Sequence, residues 1–164
     1  MSDRAPWATR QKVDWEREIG RKMALFLSTF VNKVDRKGRV SVPAPFRTTL
    51  GRAGAGGSPL GFVAYPGFSP DKAPALIASP VDRMEKWADE LETVAADSPR
   101  ALEIQLIFQE VREFAVDGDG RTVLPPEWLE LLGLGEECAF VGQGREFLIC
   151  HPDLPKRRLA QLRA

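Results

Sequence analysis

VDRKGRVSVP, residues 34–43, sets four charged side chains in the five positions 35–39 between two apolar runs, and VDGDGRTVLP, residues 116–125, repeats the frame 82 positions later. Aspartate at the first place and glycine at the fourth is how a type I turn with a glycine bulge is written. The carboxylate accepts from backbone N–H groups and the glycine takes a positive φ. This accounts for Asp35, Gly38, Asp117 and Gly120 as structural turn residues. Arg39 and Arg121 are what the turn itself does not require, so a contact surface is the reading that remains for them.

Working outward, 26–35 and 39–42 read as two strands around the first turn, ended by Pro43. Residues 44–50 read as a short helix, with Gly51 as its stop. A Gly-rich flexible segment spans 52–59, strands are expected at 61–65 and 75–78, and a loop at 66–74. Ser79-Pro80 and Ser98-Pro99 each read as a helix start, with serine as the cap. The apolar positions Met84, Trp87, Leu91, Val94, Leu102, Leu106 and Ile107 recur at helical spacing and read as core. A strand at 111–117, a return at 122–124, a helix at 126–132 closed by Gly133, a hairpin around Gln143-Gly144-Arg145 and a last helix at 152–162 complete the second copy.

At the 82-residue offset Val34, Asp35, Gly38, Arg39, Pro43, Leu50 and Gly51 fall on Val116, Asp117, Gly120, Arg121, Pro125, Leu132 and Gly133, with Phe46 on Trp128. Such self-similarity is a repeat. One copy has about four short strands, too few to bury both faces of a small sheet. The two copies therefore interleave into one pseudo-dimeric, closed β structure. The organisation expected is a mobile extension over 1–22 ahead of a plausible start at Met23, a first repeat over 23–80, connecting helices over 81–109, a second repeat over 110–155 and a helical tail over 156–164.

Composition excludes several function classes. The 164 residues are 43% hydrophobic, enough for a core, and no apolar run approaches a membrane span. Only Cys138 and Cys150 are present, which suits a reduced cytoplasm and reads as two buried small side chains. With His151 they lack zinc spacing, so no metal and no other cofactor is expected. The acidic turn 117–120 fails as a calcium loop because Arg121 and Trp128 stand where ligands belong. Turn-borne aspartates without a nearby histidine give no catalytic residues.

Lys plus Arg balances Asp plus Glu at 23 each, so any polyanion site must come from distribution. Between residues 23 and 59 six cations face one carboxylate; between 110 and 150 three face nine. A basic β-hairpin can enter the major groove, with arginine bidentate on guanine and its neighbours on phosphates. The DNA-binding candidates are thus Arg39, Lys37, Arg36 and Lys33, with Arg121 as the counterpart whose turn Asp119 makes acidic. The rival is an oligomeric scaffold or protein-interaction module that uses the same basic and acidic ends without DNA.

Two D-x-x-G-R motifs, each followed by a strand and proline, together with the run FLSTFVNKVDRKGRVSVPAPFR, resemble the MraZ family over the chain to about residue 155. The resemblance implies an α+β, β-rich fold of two AbrB-like swapped-hairpin modules forming a pseudo-two-fold double-split β-barrel with short flanking helices. It also implies a regulator of the bacterial cell-division and cell-wall gene cluster, associated with the nucleoid. Such a protein assembles into a homo-oligomeric ring and binds double-stranded DNA at G-rich direct repeats upstream of its own operon.

Overall fold

The computed structural model describes residues 24–53 and 60–164; the extension over 1–22 and most of the Gly-rich segment lie outside them. Among the described residues the chain forms β1 (Thr29–Lys33), β2 (Arg39–Ser41), α1 (Ala44–Ala53), β3 (Gly61–Phe68), β4 (Pro74–Ser79), α2 (Asp82–Thr93) and α3 (Pro99–Glu110). There follow β5 (Arg112–Ala115), β6 (Arg121–Val123), α4 (Pro126–Leu131), β7 (Glu137–Gly142), β8 (Phe147–Cys150) and α5 (Asp153–Arg163).

The repeated sequence produces a sheet with matching symmetry. Six strands run in the order β1-β7-β8-β4-β3-β5, and β2 pairs with β6 in a separate two-stranded ribbon. Exchanging β1 to β4 for β5 to β8 reverses that order and returns the same sheet. All the pairings are antiparallel. The first strand of each half lies against the third strand of the other, β1 on β7 and β5 on β3, so the halves are interleaved.

The expected barrel is not closed. Among the described residues the six-stranded sheet ends at β1 on one side and β5 on the other. The hairpin between β1 and β2 has one isolated bridge, Val34 to Val40, beside bonds from the Asp35 N–H to the Arg39 carbonyl at 3.0 Å and from the Asn32 side chain to the Ser41 carbonyl at 2.6 Å. Beyond it the two strands diverge, β1 into the sheet and β2 into the ribbon, and among the described residues no ladder joins ribbon to sheet.

The larger core fills the space between one face of the sheet, the ribbon and the two short helices. Phe46 of α1, fully buried, meets Phe26 at 5.3 Å and Phe147 at 5.1 Å between ring centroids. Phe114 meets Trp128 of α4 at 5.4 Å. A smaller cluster of Ala75, Ala139, Leu148, Cys150 and Leu154 lies apart from it. Cys138 belongs to the first cluster and Cys150 to the second, and burial pushes both thiols up to about 12. They act as small core side chains.

Several local expectations need correction. Strand β3 continues through Pro66 and Gly67 to Phe68. Its ladder with β5 ends at Ala64, so Pro66 sits where β3 has one neighbour and its missing N–H is tolerated. Helix α1 runs past Gly51 to Ala53. Ser79 ends β4 and Val81 caps α2 without a side-chain bond, whereas Ser98 caps α3 by accepting from the Ala101 N–H at 3.1 Å. Helix α2 has no buried residue, and Leu102 and Leu106 of α3 are exposed. Only Ala101 and Ile104 of α3 are buried, because the helix touches β3 along one narrow stripe. Arg100 ties the two helices together by two bonds to Glu90, at 2.8 and 2.9 Å.

Candidate nucleic-acid interface

The first turn is built on Asp35. Its Oδ1 accepts from the N–H groups of Lys37 and Arg39, both at 2.9 Å. Its carbonyl accepts from the Gly38 N–H at 3.0 Å. Gly38 has φ +80°, and a Cβ there would lie 2.5 Å from the Leu124 carbonyl oxygen. The second turn copies these hydrogen bonds: Asp117 Oδ1 accepts from Asp119 and Arg121 N–H groups at 2.9 Å, its carbonyl accepts from the Gly120 N–H at 3.0 Å, and Gly120 has φ +79°. Backbone donors, that of the arginine first, hold both aspartates below the usual carboxylate range.

Each turn is locked by the other half. Leu124 N–H donates to the Gly38 carbonyl at 2.8 Å, and Val42 N–H donates to the Gly120 carbonyl at 2.9 Å. Both turns therefore stand at opposite ends of one short ribbon. Its register sets Val40 opposite Thr122, Arg39 opposite Val123 and Ser41 opposite Arg121. Val40 and Thr122 are buried. Side chains alternate across a strand, so Arg39, Ser41, Arg121 and Val123 share the outward face. Thr122 takes the position of Val40, and its buried hydroxyl has no hydrogen-bond partner among the described residues.

Of the residues singled out from sequence, Lys33, Arg36, Arg39 and Arg121 line one open groove of about 500 Å³, together with Asp35, Glu136 and Glu137. Lys37 is exposed at the turn tip and lies outside that lining. The arginines are held differently. Arg39 Nε donates to Asp35 Oδ2 at 2.6 Å, so this side chain closes back on the turn although the backbone frame does not need it. Arg121 instead reaches Asp119 Oδ2 with a terminal nitrogen at 3.3 Å. Both pairs are exposed, and such pairs add little to stability. Their value lies in orientation.

One cation was missed. Arg47 of α1 bonds the Val42 carbonyl through Nε at 3.1 Å, and its guanidinium covers Gly120, 2.5 Å from where a Cβ would stand. The first half thus lends positive charge to the acidic second turn. The repeat aligns Arg47 with Leu129, so nothing in the sequence pattern signalled this. Arg112 is engaged by Glu127 at 2.7 Å and by the ring of Trp128, 4.8 Å from its centroid.

No protein-family model matches the chain. Among curated proteins it is 35% identical over 147 residues to the transcriptional regulator MraZ of Gluconacetobacter diazotrophicus, covering 86% of this chain and 87% of the relative. The chain belongs to the MraZ family. The regulators of the same name from Rickettsia akari and Rickettsia bellii are 35% and 34% identical over 130 and 139 residues. They cover 79% and 84% of this MraZ-family chain, and 83% and 89% of their own lengths. No described helix is long and apolar enough to cross a membrane.

Proposed function

We propose that this chain is a DNA-binding transcriptional regulator that reads duplex DNA with the exposed face of the β2–β6 ribbon. The observation that carries the reading is the ribbon register, which brings Arg39 and Arg121 to one outward face beside the basic turn of Arg36 and Lys37. A two-stranded ribbon fits the major groove, where arginine takes guanine bidentately. Arg39 makes the base contact, while Lys33, Arg36 and Lys37 neutralise phosphates and set the salt dependence. The names of the relatives favour this reading over a scaffold role or catalysis.

In its finer form the proposal follows the family resemblance. The chain, with repeats over 23–80 and 110–155 in the AbrB-like manner, controls the cell-division and cell-wall gene cluster from G-rich direct repeats upstream of its own operon. It acts as a cytoplasmic, nucleoid-associated ring of identical subunits. A ring presents several copies of one weak site, so repeated boxes bind by avidity.

The presence of Glu136 and Glu137 in the same groove favours one rival, a basic partner protein or a second subunit docking there without DNA. Fluorescence anisotropy at fixed salt, with a labelled duplex from upstream of the protein's own reading frame and a shuffled duplex of equal composition, separates the two. Binding that prefers the first duplex and weakens steeply with salt is expected. Arg39→Ala should lower that preference by about 1–3 kcal/mol, the value of one bidentate contact. Equal affinity of wild type and variant for both duplexes would overturn the DNA reading and leave the protein-docking one.

A further inference from the structure

The two halves present the same pair of motif arginines on one pseudo-symmetric ribbon, yet their neighbouring carboxylates hold opposite ends of the guanidinium. Asp35 fastens Arg39 through Nε at 2.6 Å, and among the described residues it is that side chain's only hydrogen-bond partner. Asp119 fastens Arg121 through a terminal nitrogen at 3.3 Å, while Asp117 keeps its two backbone donors. A guanidinium recognises guanine with two coplanar N–H groups. Anchoring Nε fixes the plane of the fork and leaves the terminal pair pointing outward. Anchoring a terminal nitrogen engages one of its N–H groups and sets a negative charge where base acceptors and phosphates would approach.

Resting on the DNA reading above, the geometry points to Asp35 as a positioning residue for base recognition by Arg39, and to Asp119 as the residue that keeps Arg121 from reading. Each chain then presents one reading arginine on a ribbon built for two. A ribbon with both arginines active would favour a palindromic element, since site symmetry mirrors protein symmetry. With Arg121 masked, one chain recognises an asymmetric element. The first copy carries Lys37 at the position of Asp119 and Arg36 at that of Gly118, so the carboxylate beside the second arginine has no counterpart in the first turn.

Asn at position 35 separates the two roles of Asp35. Its carbonyl oxygen can still accept the two backbone N–H groups, but its NH2 replaces the oxygen that holds Arg39 Nε. The test uses the full chain and the two duplexes named above, the ratio of affinities being the readout and thermal melting the check on folding. Arg39→Ala, which lowers the ratio at least as far as any position-35 variant, establishes the underlying reading. Asp35→Asn is then expected to lower the ratio about tenfold, the loss of one well-oriented bidentate contact, with no further loss in the Arg39→Ala background. Asp119→Asn is expected to raise affinity for the own-upstream duplex several-fold, a gain that disappears when Arg121→Ala is added. If Asp35→Asn does not fold, Asp35→Ser keeps a capping oxygen without the second one and carries the same expectation. A wild-type ratio for the folded position-35 variant, or a gain from Asp119→Asn that survives Arg121→Ala, overturns the inference. A wild-type ratio for Arg39→Ala overturns the DNA reading itself.

Discussion

Above Gly38 lies the backbone of the other half, and above Gly120 lies a movable side chain. Both glycines sit at φ near +80° in turns with matching hydrogen bonds. A Cβ at Gly38 would meet the Leu124 carbonyl oxygen at 2.5 Å, whereas at Gly120 it would meet the guanidinium of Arg47 at the same distance. The first turn is thus clamped by the fold and carries its cations outward. The second is covered by a cation borrowed from the first half, and its own arginine is engaged by Asp119. The two turns share a frame and differ in what surrounds them.

The largest effect expected from this contrast is on stability. Gly38→Ala should destabilise by about 3 kcal/mol, because left-handed strain adds to a backbone overlap that cannot move aside. Gly120→Ala should cost only about 1 kcal/mol, the strain alone, since Arg47 can swing away. Chemical denaturation of both variants measures the difference. Equal losses would mean that the two turns are clamped alike.

The paired strands offer a smaller test with the opposite sign. Thr122→Val removes a buried hydroxyl without a partner and restores the side chain the first copy uses at Val40. It should stabilise by about 1 kcal/mol. A lower melting temperature would show that the hydroxyl is satisfied.

The smallest effect is a pH dependence. Backbone N–H donors, joined at Asp35 by the Arg39 side chain, lower the folded pKa of both turn aspartates. A folded pKa below the unfolded one gives stability that is fully present above the unfolded value and is lost as pH falls through the folded one. Melting temperature should therefore drop below the ordinary aspartate range, and Asp35→Asn should shallow that drop. An unaltered acid limb in the variant would place the pH dependence on other carboxylates.

Much of the candidate site was legible because it is local. Asp35 and Gly38 are three positions apart, so turn chemistry alone identified their roles, and the same frame at Asp117 and Gly120 behaved alike. Ser98 capped its helix for the same reason, through a bond to the N–H three residues on. Ser79 failed because β4 claims it in a ladder with Val63, a contact across sixteen positions that outweighs a capping preference. Leu102 and Leu106 show the limit of periodicity, which marks an apolar stripe without saying what covers it. Arg47 was invisible as a site residue because its neighbour, Gly120, is brought to it by the ribbon.

By itself the sequence determined that two like halves exist, that each contains an aspartate-capped glycine turn, and that charge is divided between them. Those are consequences of short-range backbone chemistry and of composition, which any pairing of strands would preserve. Only the tertiary structure decided that β1 joins β7 and β5 joins β3 in an open sheet, and that β2 and β6 meet so that Arg39 and Arg121 share a face. Strand partners, unlike turns, are chosen by which distant surfaces bury the most apolar area while satisfying every backbone donor, and that choice depends on the whole chain.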